Sequence, residues 1–195
     1  MKIFLTILIL ILSFQSWTKA DDIRDFEIEG MSVGDSLLDY FSEEEIKKAQ
    51  KNNFSYLNKF IDFWAPIKLE NTDAHDGVAV INKKNDSKYI IYGLTASKNL
   101  TNNFQECFQL KKNVVDEVSK LFVNAKKKDE GKEKHEADKT GKSFTYRTLF
   151  FIGKAYVEIA CYDFYDKNPN NWFDEFRVSI SSEEFRDFLN DEFYK

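Results

Sequence analysis

Two long runs of β-branched and aromatic residues, Phe144 to Ile152 and Lys154 to Phe164, meet at Gly153. Runs of this composition favour β-strands, and a glycine between them favours a turn that pairs the strands antiparallel. Another strand is expected at Phe173 to Ile180, after a turn rich in Asn and Pro. Three strands in succession with no helix between them predict an antiparallel sheet.

The central part of the chain adds a predicted hairpin. Its strands run from Val78 to Asn82 and from Lys88 to Thr95, around turn residues 83–86. A further strand is expected between Tyr56 and Leu69, where Pro66 limits it to an edge or an end of the sheet. The elements do not alternate strand and helix as a parallel sheet requires. The predicted fold class is therefore α+β, with an antiparallel sheet of about five to six strands and N-terminal, central and C-terminal helices packed on it.

Helical spacing is clearest in the central segment. Asn102 or Asn103 is expected to cap this helix, whose apolar residues are Phe104, Cys107, Phe108, Val114, Val115, Val118, Leu121 and Phe122. The last helix is expected after Ser181 or Ser182, with a buried stripe of Phe185, Phe188, Leu189 and Phe193. Residues 126–142 contain no Val, Ile, Leu or aromatic residue, so we expect a charged, solvated loop there.

Two serines near the N-terminus are predicted helix caps. Ser32 has Asp35 three positions on, and Ser42 has Glu45, which in both cases is the spacing of a capping box. The helix after Ser42 is expected from Glu43 to Lys51. The helix after Ser32 is expected to bury Leu37, Leu38 and Phe41.

Ser32 also lies in a motif with a second interpretation, because Gly30 to Gly34 matches the G-x-S-x-G nucleophile elbow of serine hydrolases. An elbow follows a strand that is apolar on both faces, whereas Phe26 to Glu29 alternates apolar residues with acids. The two histidines of the chain, His75 and His135, lie in polar stretches where nothing is expected to fix an imidazole. The pattern favours the helix cap, and a serine hydrolase using Ser32 stays open as an alternative.

Residues 1–20 have the three regions of a secretory signal peptide. Lys2 is basic, Ile3 to Phe14 is almost unbroken Ile, Leu and Phe, and small residues lie three and one before Asp21. The apolar run is about a dozen residues, shorter than the roughly 20 that span a bilayer. We therefore expect cleavage and a periplasmic or secreted protein, with an uncleaved anchor as the alternative. Residues 21–195 suit a single α+β domain.

The mature protein is expected to be acidic. The signal holds Lys2 and Lys19 and no acidic residue, so its removal leaves 26 basic residues against 33 acidic ones, a net charge of −7. A surface of this sign repels the phosphates of nucleic acids and anionic lipids. We expect no nucleic-acid partner and no stable membrane insertion after cleavage. The expected partner is an envelope protein or a small ligand.

Two cysteines, Cys107 and Cys161, remain after cleavage. An even pair in an exported chain most often forms a disulfide, and the alternative is two buried free thiols. Cys107 lies on the apolar face of the central helix. Cys161 shares a strand face with Val157 and Ile159, so an apolar helix stripe and an apolar strand face are expected to meet at the two sulfurs.

Two polar segments have the residue types of a metal site without its spacing. Asp73 to Asp76 places three potential ligands in one loop, and adjacent loop residues rarely converge on an ion. The turn from Asp166 to Asn170 imitates the start of a calcium loop, but Asn171 and Arg177 occupy the positions of its Gly and Glu. The sequence holds no phosphate-binding loop or dinucleotide motif. We expect no metal and no cofactor.

Several motifs together resemble a known family. The segment Gly30 to Leu38, the helix of Cys107, the strand of Cys161 and the last serine-capped helix are similar to small exported proteins of uncharacterised function from marine bacteria. This resemblance implies a periplasmic α+β domain and no activity. A weaker likeness is to envelope-assembly lipoproteins of the SmpA/OmlA type, in which a Gly-Met-Ser/Thr turn opens a helix before a meander.

Three function classes follow from the sequence. A binding or interaction module of the envelope, without enzymatic activity, is the leading hypothesis because catalytic groups are lacking. The second is a small-ligand carrier with an aromatic-lined pocket, and the third is the serine hydrolase. The carrier depends on a set of aromatic residues that either line a groove or, as we favour, pack on the sheet: Trp64, Tyr89, Tyr92, Tyr146, Tyr156, Tyr162, Tyr165 and Trp172.

Overall fold

The computed structural model describes residues 22–67, 75–101, 103–167 and 172–193. Within these residues a single antiparallel sheet has eight strands: β1 (Asn53–Tyr56), β2 (Phe60–Trp64), β3 (Gly77–Lys83), β4 (Ile91–Asn99), β5 (Lys126–Lys134), β6 (Phe144–Ile152), β7 (Ala155–Asp163) and β8 (Glu175–Ser181). The strand order is β1-β2-β3-β4-β8-β7-β6-β5. The three α-helices of the described chain are α1 (Glu43–Ala49), α2 (Phe104–Leu121) and α3 (Glu183–Phe188).

The α+β class and the antiparallel sheet are confirmed, but the expected strand number of five to six is wrong. One added strand is β1, which precedes the strand predicted between Tyr56 and Leu69 and shares only Tyr56 with it. A turn separates β1 from β2, and Leu57 and Asn58 in that turn have positive φ values of 47° and 58°. Residues 68–74, the end of that predicted strand and most of the following loop, lie outside the described residues.

The other added strand is β5, which replaces most of the loop expected at residues 126–142. It forms an edge of the sheet and, among the strands that the structure describes, pairs with β6 alone. Its side chains are mostly exposed, so a strand here needs no apolar residue, and lysines on an edge discourage pairing with other chains. The Lys132 ammonium lies 3.8 Å from the centre of the Phe144 ring on β6. The loop is confined to the turn after β5.

One face of the sheet, the covered face, packs against α1, α2 and the N-terminal segment. Its core includes Ile46 of α1, Val118 of α2 and Ile159 of β7. Cys107 of α2 and Cys161 of β7 are fully buried there and form a disulfide, with their Cα atoms 5.9 Å apart. The expected meeting of helix stripe and strand face is therefore confirmed.

The N-terminal serines behave differently from one another. Ser42 caps α1 in a full capping box, since its Oγ accepts the N–H of Glu45 and the Glu45 carboxylate accepts the N–H of Ser42. The prediction that Ser32 caps a helix is wrong. Its hydroxyl donates to the carbonyl of Phe26 at 2.8 Å, and the short 3₁₀ turn Leu37–Asp39 is capped by Ser36.

Tertiary backbone hydrogen bonds explain why no helix follows Ser32. The N–H of Gly34 donates to the carbonyl of Ile91, and the N–H of Leu37 donates to the carbonyl of Tyr89. The segment is therefore held against the first residue of β4 and the residues just before it, and these bonds replace the ones that a helix would make. Asp35 still accepts the N–H of Ser32 at 2.8 Å, so half of the local capping pattern is present without the helix.

Candidate ligand-binding site

The opposite face of the sheet, the open face, is covered by α3 at one end. Elsewhere its central strands β3, β4 and β8 carry small residues, namely Ala79, Gly93, Thr95, Ser97 and Ser179. The hydroxyls of Thr95 and Ser179 lie 3.0 Å apart. Such short side chains cannot form a second apolar layer, so a hollow of about 440 Å³ lies above them. We call this hollow the cavity.

Aromatic side chains stand around the cavity. Phe54 and Trp64 are each 57% exposed and Phe173 is 47% exposed, although all three are large and apolar. Trp172 and Tyr156 complete the set at the other side. Large apolar rings that stay exposed around a concave site are typical of surfaces that bind a partner molecule.

Trp64 is positioned by a glycine. A Cβ atom on Gly77 would lie 2.7 Å from Cζ3 of the Trp64 ring, far inside van der Waals contact. The ring therefore lies against the bare backbone of β3, across the strand pair β2–β3. A glycine is required at position 77 by this close approach, because any larger residue displaces the indole.

Charged groups occupy the walls of the cavity. Asp62 projects from β2 and Glu158 from β7, while Glu175 and Arg177 project from β8. The Arg177 guanidinium bonds the Glu175 carboxylate and lies 4.4 Å from the centre of the Tyr162 ring. Among the described lining residues, three carboxylates therefore face one guanidinium.

Glu158 has partners behind the cavity. The Tyr162 hydroxyl donates to its carboxylate at 2.9 Å, and the Arg147 guanidinium lies 4.0 Å away. Arg147 is closer to Glu130, at 2.8 Å, so its charge is shared between two carboxylates. The carboxylates are well buried, with the Glu158 side chain 13% exposed and the Glu175 side chain 7% exposed.

Burial controls the ionisation of these acids. It raises the pKa of Asp62 to about 6, although the charge of Arg177 and the hydrogen bond of Tyr56 act in the opposite direction. Burial also raises the pKa of Glu158 and the pKa of Glu175, again against the effect of the nearby guanidinium groups. Their positive neighbours thus compensate only part of the cost of removing these carboxylates from water.

Asp62→Asn is expected to raise the free energy of unfolding at pH 7.5 by about 2 kcal/mol. At this pH the folded protein holds the half-buried carboxylate of Asp62, which is better solvated in the unfolded chain, because partial burial raises its pKa to about 6 on folding. Below pH 6 the folded protein binds this proton first, so the advantage of the variant should shrink as the pH falls and vanish near about pH 4. Urea unfolding at several pH values measures both effects.

Asp39→Asn, at an exposed position, is the matched control and should change the free energy of unfolding little at pH 7.5. A wild-type protein more stable than Asp62→Asn at pH 7.5 would show that Asp62 is adequately compensated.

The histidines and Ser32 do not support an elbow. The expectation that nothing fixes the imidazoles is wrong, since His135 packs 5.0 Å from the rings of Phe164 and Trp172 and burial lowers its pKa. His75 lies 3.1 Å from Glu29. The hydroxyl proton of the buried Ser32 is held by the carbonyl of Phe26 instead of a base, whereas a nucleophile needs a base.

Some residues of the aromatic set named in the sequence analysis line a groove, and others pack on the sheet. Trp64, Tyr156 and Trp172 line the cavity. Tyr146 packs on the covered face, 5.0 Å from Phe108 of α2, and Tyr92 packs 5.4 Å from Phe60.

Sequence reasoning missed Asp62, Gly77, Glu158, Glu175 and Arg177. For the four charged residues, the available signal was their alternation with apolar residues along predicted strands, which places a charge on the face opposite the core.

Within residues 22–67, 75–101, 103–167 and 172–193, no group of three or more His, Cys, Asp or Glu residues is arranged to hold a metal ion. Asp73 and the turn residues 168–171 lie outside these ranges. In the same part of the chain, no helix is long and apolar enough to cross a membrane.

No protein-family model, no curated protein and no solved structure matches this chain. The cavity is therefore interpreted from its own geometry and chemistry.

Proposed function

We propose that this protein is an exported binding protein that takes a small organic molecule into the cavity of the open face. The observation that carries the proposal is the combination of a small-residue floor with a rim of exposed aromatic rings. A ring presented to solvent beside a hollow gains favourable contacts when a ligand covers it. This places the small-ligand carrier ahead of the envelope interaction module that the sequence favoured.

The walls of the cavity carry polar groups that could fix the orientation of a bound ligand. Pockets for small molecules combine apolar surface with a few polar groups that fix the ligand. Here Asp62 and Arg177 stand on different strands with the hydroxyls of Thr95 and Ser97 between them. A ligand that stacks on the rim would therefore meet hydrogen-bonding groups at the floor.

An interaction module stays as a second candidate, supported by the edge strand β1. This strand pairs with β2 on one side and ends the described sheet on the other. Phe54 on the strand and Leu57 just after it are exposed. An open strand edge beside exposed apolar residues can accept a strand of a partner protein.

Export is part of the proposal. The Cys107–Cys161 disulfide is compatible with a periplasmic or extracellular location, where such bonds persist. We propose that residues 1–20, which lie outside the described residues, direct export and are removed after Ala20. We also propose that the protein belongs with the small exported proteins of uncharacterised function that it resembles.

Tryptophan fluorescence tests the binding function with little ambiguity. The full sequence has three tryptophans, and the proposed removal of residues 1–20 takes away Trp17 and leaves Trp64 and Trp172, which both line the cavity. A library of small metabolites should contain compounds that change the emission of the exported protein in a saturable way. Gly77→Ala should weaken their binding about fivefold, since the added methyl displaces the Trp64 ring.

Gly131→Ala is the control for the glycine replacement. Gly131 has a φ of 64° and lies on the edge strand β5, where an added Cβ meets no atom within 4 Å. The control should lose about 1 kcal/mol of stability through backbone strain and keep its affinity. A ligand bound equally well by wild type, Gly77→Ala and Trp64→Ala would contradict the cavity as its site.

A further inference from the structure

The cavity walls carry an excess of negative charge. In the part of its lining that the structure describes, Asp62, Glu158 and Glu175 stand with one guanidinium, that of Arg177. Arg177 is already engaged by Glu175 and by the ring of Tyr162. Asp62 stands on the opposite wall, on β2, which is separated from β8 by β3 and β4. A molecule that fills the space between these walls is therefore exposed to a net negative field.

The aromatic rim, like the carboxylates, favours a positively charged ligand. Phe54, Trp64 and Phe173 are large exposed rings, and the face of an aromatic ring attracts a cation. An anion in this position would meet both the carboxylates and the negative ring faces. A neutral molecule could stack on the rings but would leave the carboxylates as they are. A cation satisfies both sets of groups at once.

We infer that the molecule bound in the cavity is a small organic cation, an amine or quaternary ammonium compound held between Asp62 and the aromatic rim. This inference rests on the proposed binding function and names the chemical class of its ligand. The cavity, at about 440 Å³, accommodates such a molecule with room for a short apolar or hydroxylated substituent.

The test compares cations with uncharged molecules of the same shape. The exported protein, residues 21–195, is titrated with choline, putrescine and benzylamine, and emission from Trp64 and Trp172 is recorded. The neutral probe is 3,3-dimethyl-1-butanol, in which a carbon replaces the charged nitrogen of choline. We expect saturable binding of at least one cation, and at least about tenfold weaker binding of the neutral probe than of choline if choline is that cation.

Asp62→Asn should weaken binding of the cation about tenfold, while the exposed Asp39→Asn should leave it unchanged. Because an asparagine side chain keeps the shape of the carboxylate that it replaces, a failure to fold is not expected, and circular dichroism of the variant checks this. Equal affinity of wild type and Asp62→Asn would overturn the inference, as would equal binding of choline and its neutral analogue, or no binding of any cation.

Two further outcomes separate this inference from the function on which it rests. If a neutral sugar such as glucose changes the emission, and the Gly77→Ala variant no longer binds it, then the cavity binds ligands but the assignment of a cation is wrong. If a cation binds with equal affinity to wild type, Gly77→Ala and Trp64→Ala, the cavity is not its site and both proposals fail.

Discussion

Reduction of the Cys107–Cys161 disulfide is expected to lower the free energy of unfolding by about 4 kcal/mol. The bond joins residues 54 positions apart, so it removes a large loop entropy from the unfolded chain. It also ties α2 to β7 at a point where both cysteines are fully buried. Opening it frees the helix that covers one face of the sheet.

Urea unfolding with and without reductant measures the change. The double variant Cys107→Ala/Cys161→Ala should match the reduced protein and be insensitive to reductant. Intact mass of the exported protein should correspond to a chain beginning at Asp21 and lacking two hydrogens relative to the reduced form. Two thiols that react with an alkylating agent in the native, unreduced protein would contradict the bond.

Phe60→Ala is also expected to have a large effect and to lower the free energy of unfolding by about 4 kcal/mol. Phe60 is fully buried on the open face, at the end covered by α3. Its ring centre lies 5.1 Å from that of Phe185 and 4.9 Å from that of Phe188. Truncation leaves a hole under α3 and loosens Phe185, which is also part of the cavity lining.

Phe54→Ala is the matched control, because Phe54 is mostly exposed at the rim. It should cost less than about 1 kcal/mol of stability but weaken ligand binding, whereas Phe60→Ala acts first on stability. Thermal unfolding and the fluorescence titration measure the two quantities on the same samples. Loss of less than about 1 kcal/mol in Phe60→Ala would show that α3 is not anchored through this ring.

Elements with strong local patterns could be predicted from the sequence. The long strands on either side of Gly153 are formed as β6 and β7, and the spacing of apolar residues predicted α2. The edge strand β5 could not be predicted in this way, because a strand exposed on both faces has no apolar alternation. Ser32 shows a different limit, since hydrogen bonds of its segment to distant Ile91 and Tyr89 override a local helix signal.

The cavity required knowledge of strand order. Alternation places Asp62 and Arg177 on the faces opposite their core neighbours, but it does not tell which strands are adjacent. The pairing of β4 with β8 brings the C-terminal strand into the centre of the sheet, and with it Glu175 and Arg177. Gly77 carries no visible signal in the sequence, because its role depends on the Trp64 ring across the strand pair.

The central claim is that the open face binds a small molecule between Trp64 and Trp172. Proton–nitrogen correlation spectra of the exported protein test it directly, since its two indole N–H signals report on the two sides of the cavity. Titration with the compound that gives the strongest emission change should shift both indole signals with one dissociation constant, together with the amides of Thr95 and Ser179. Shifts confined to α2 or β5, with both indole signals unmoved, would contradict the claim.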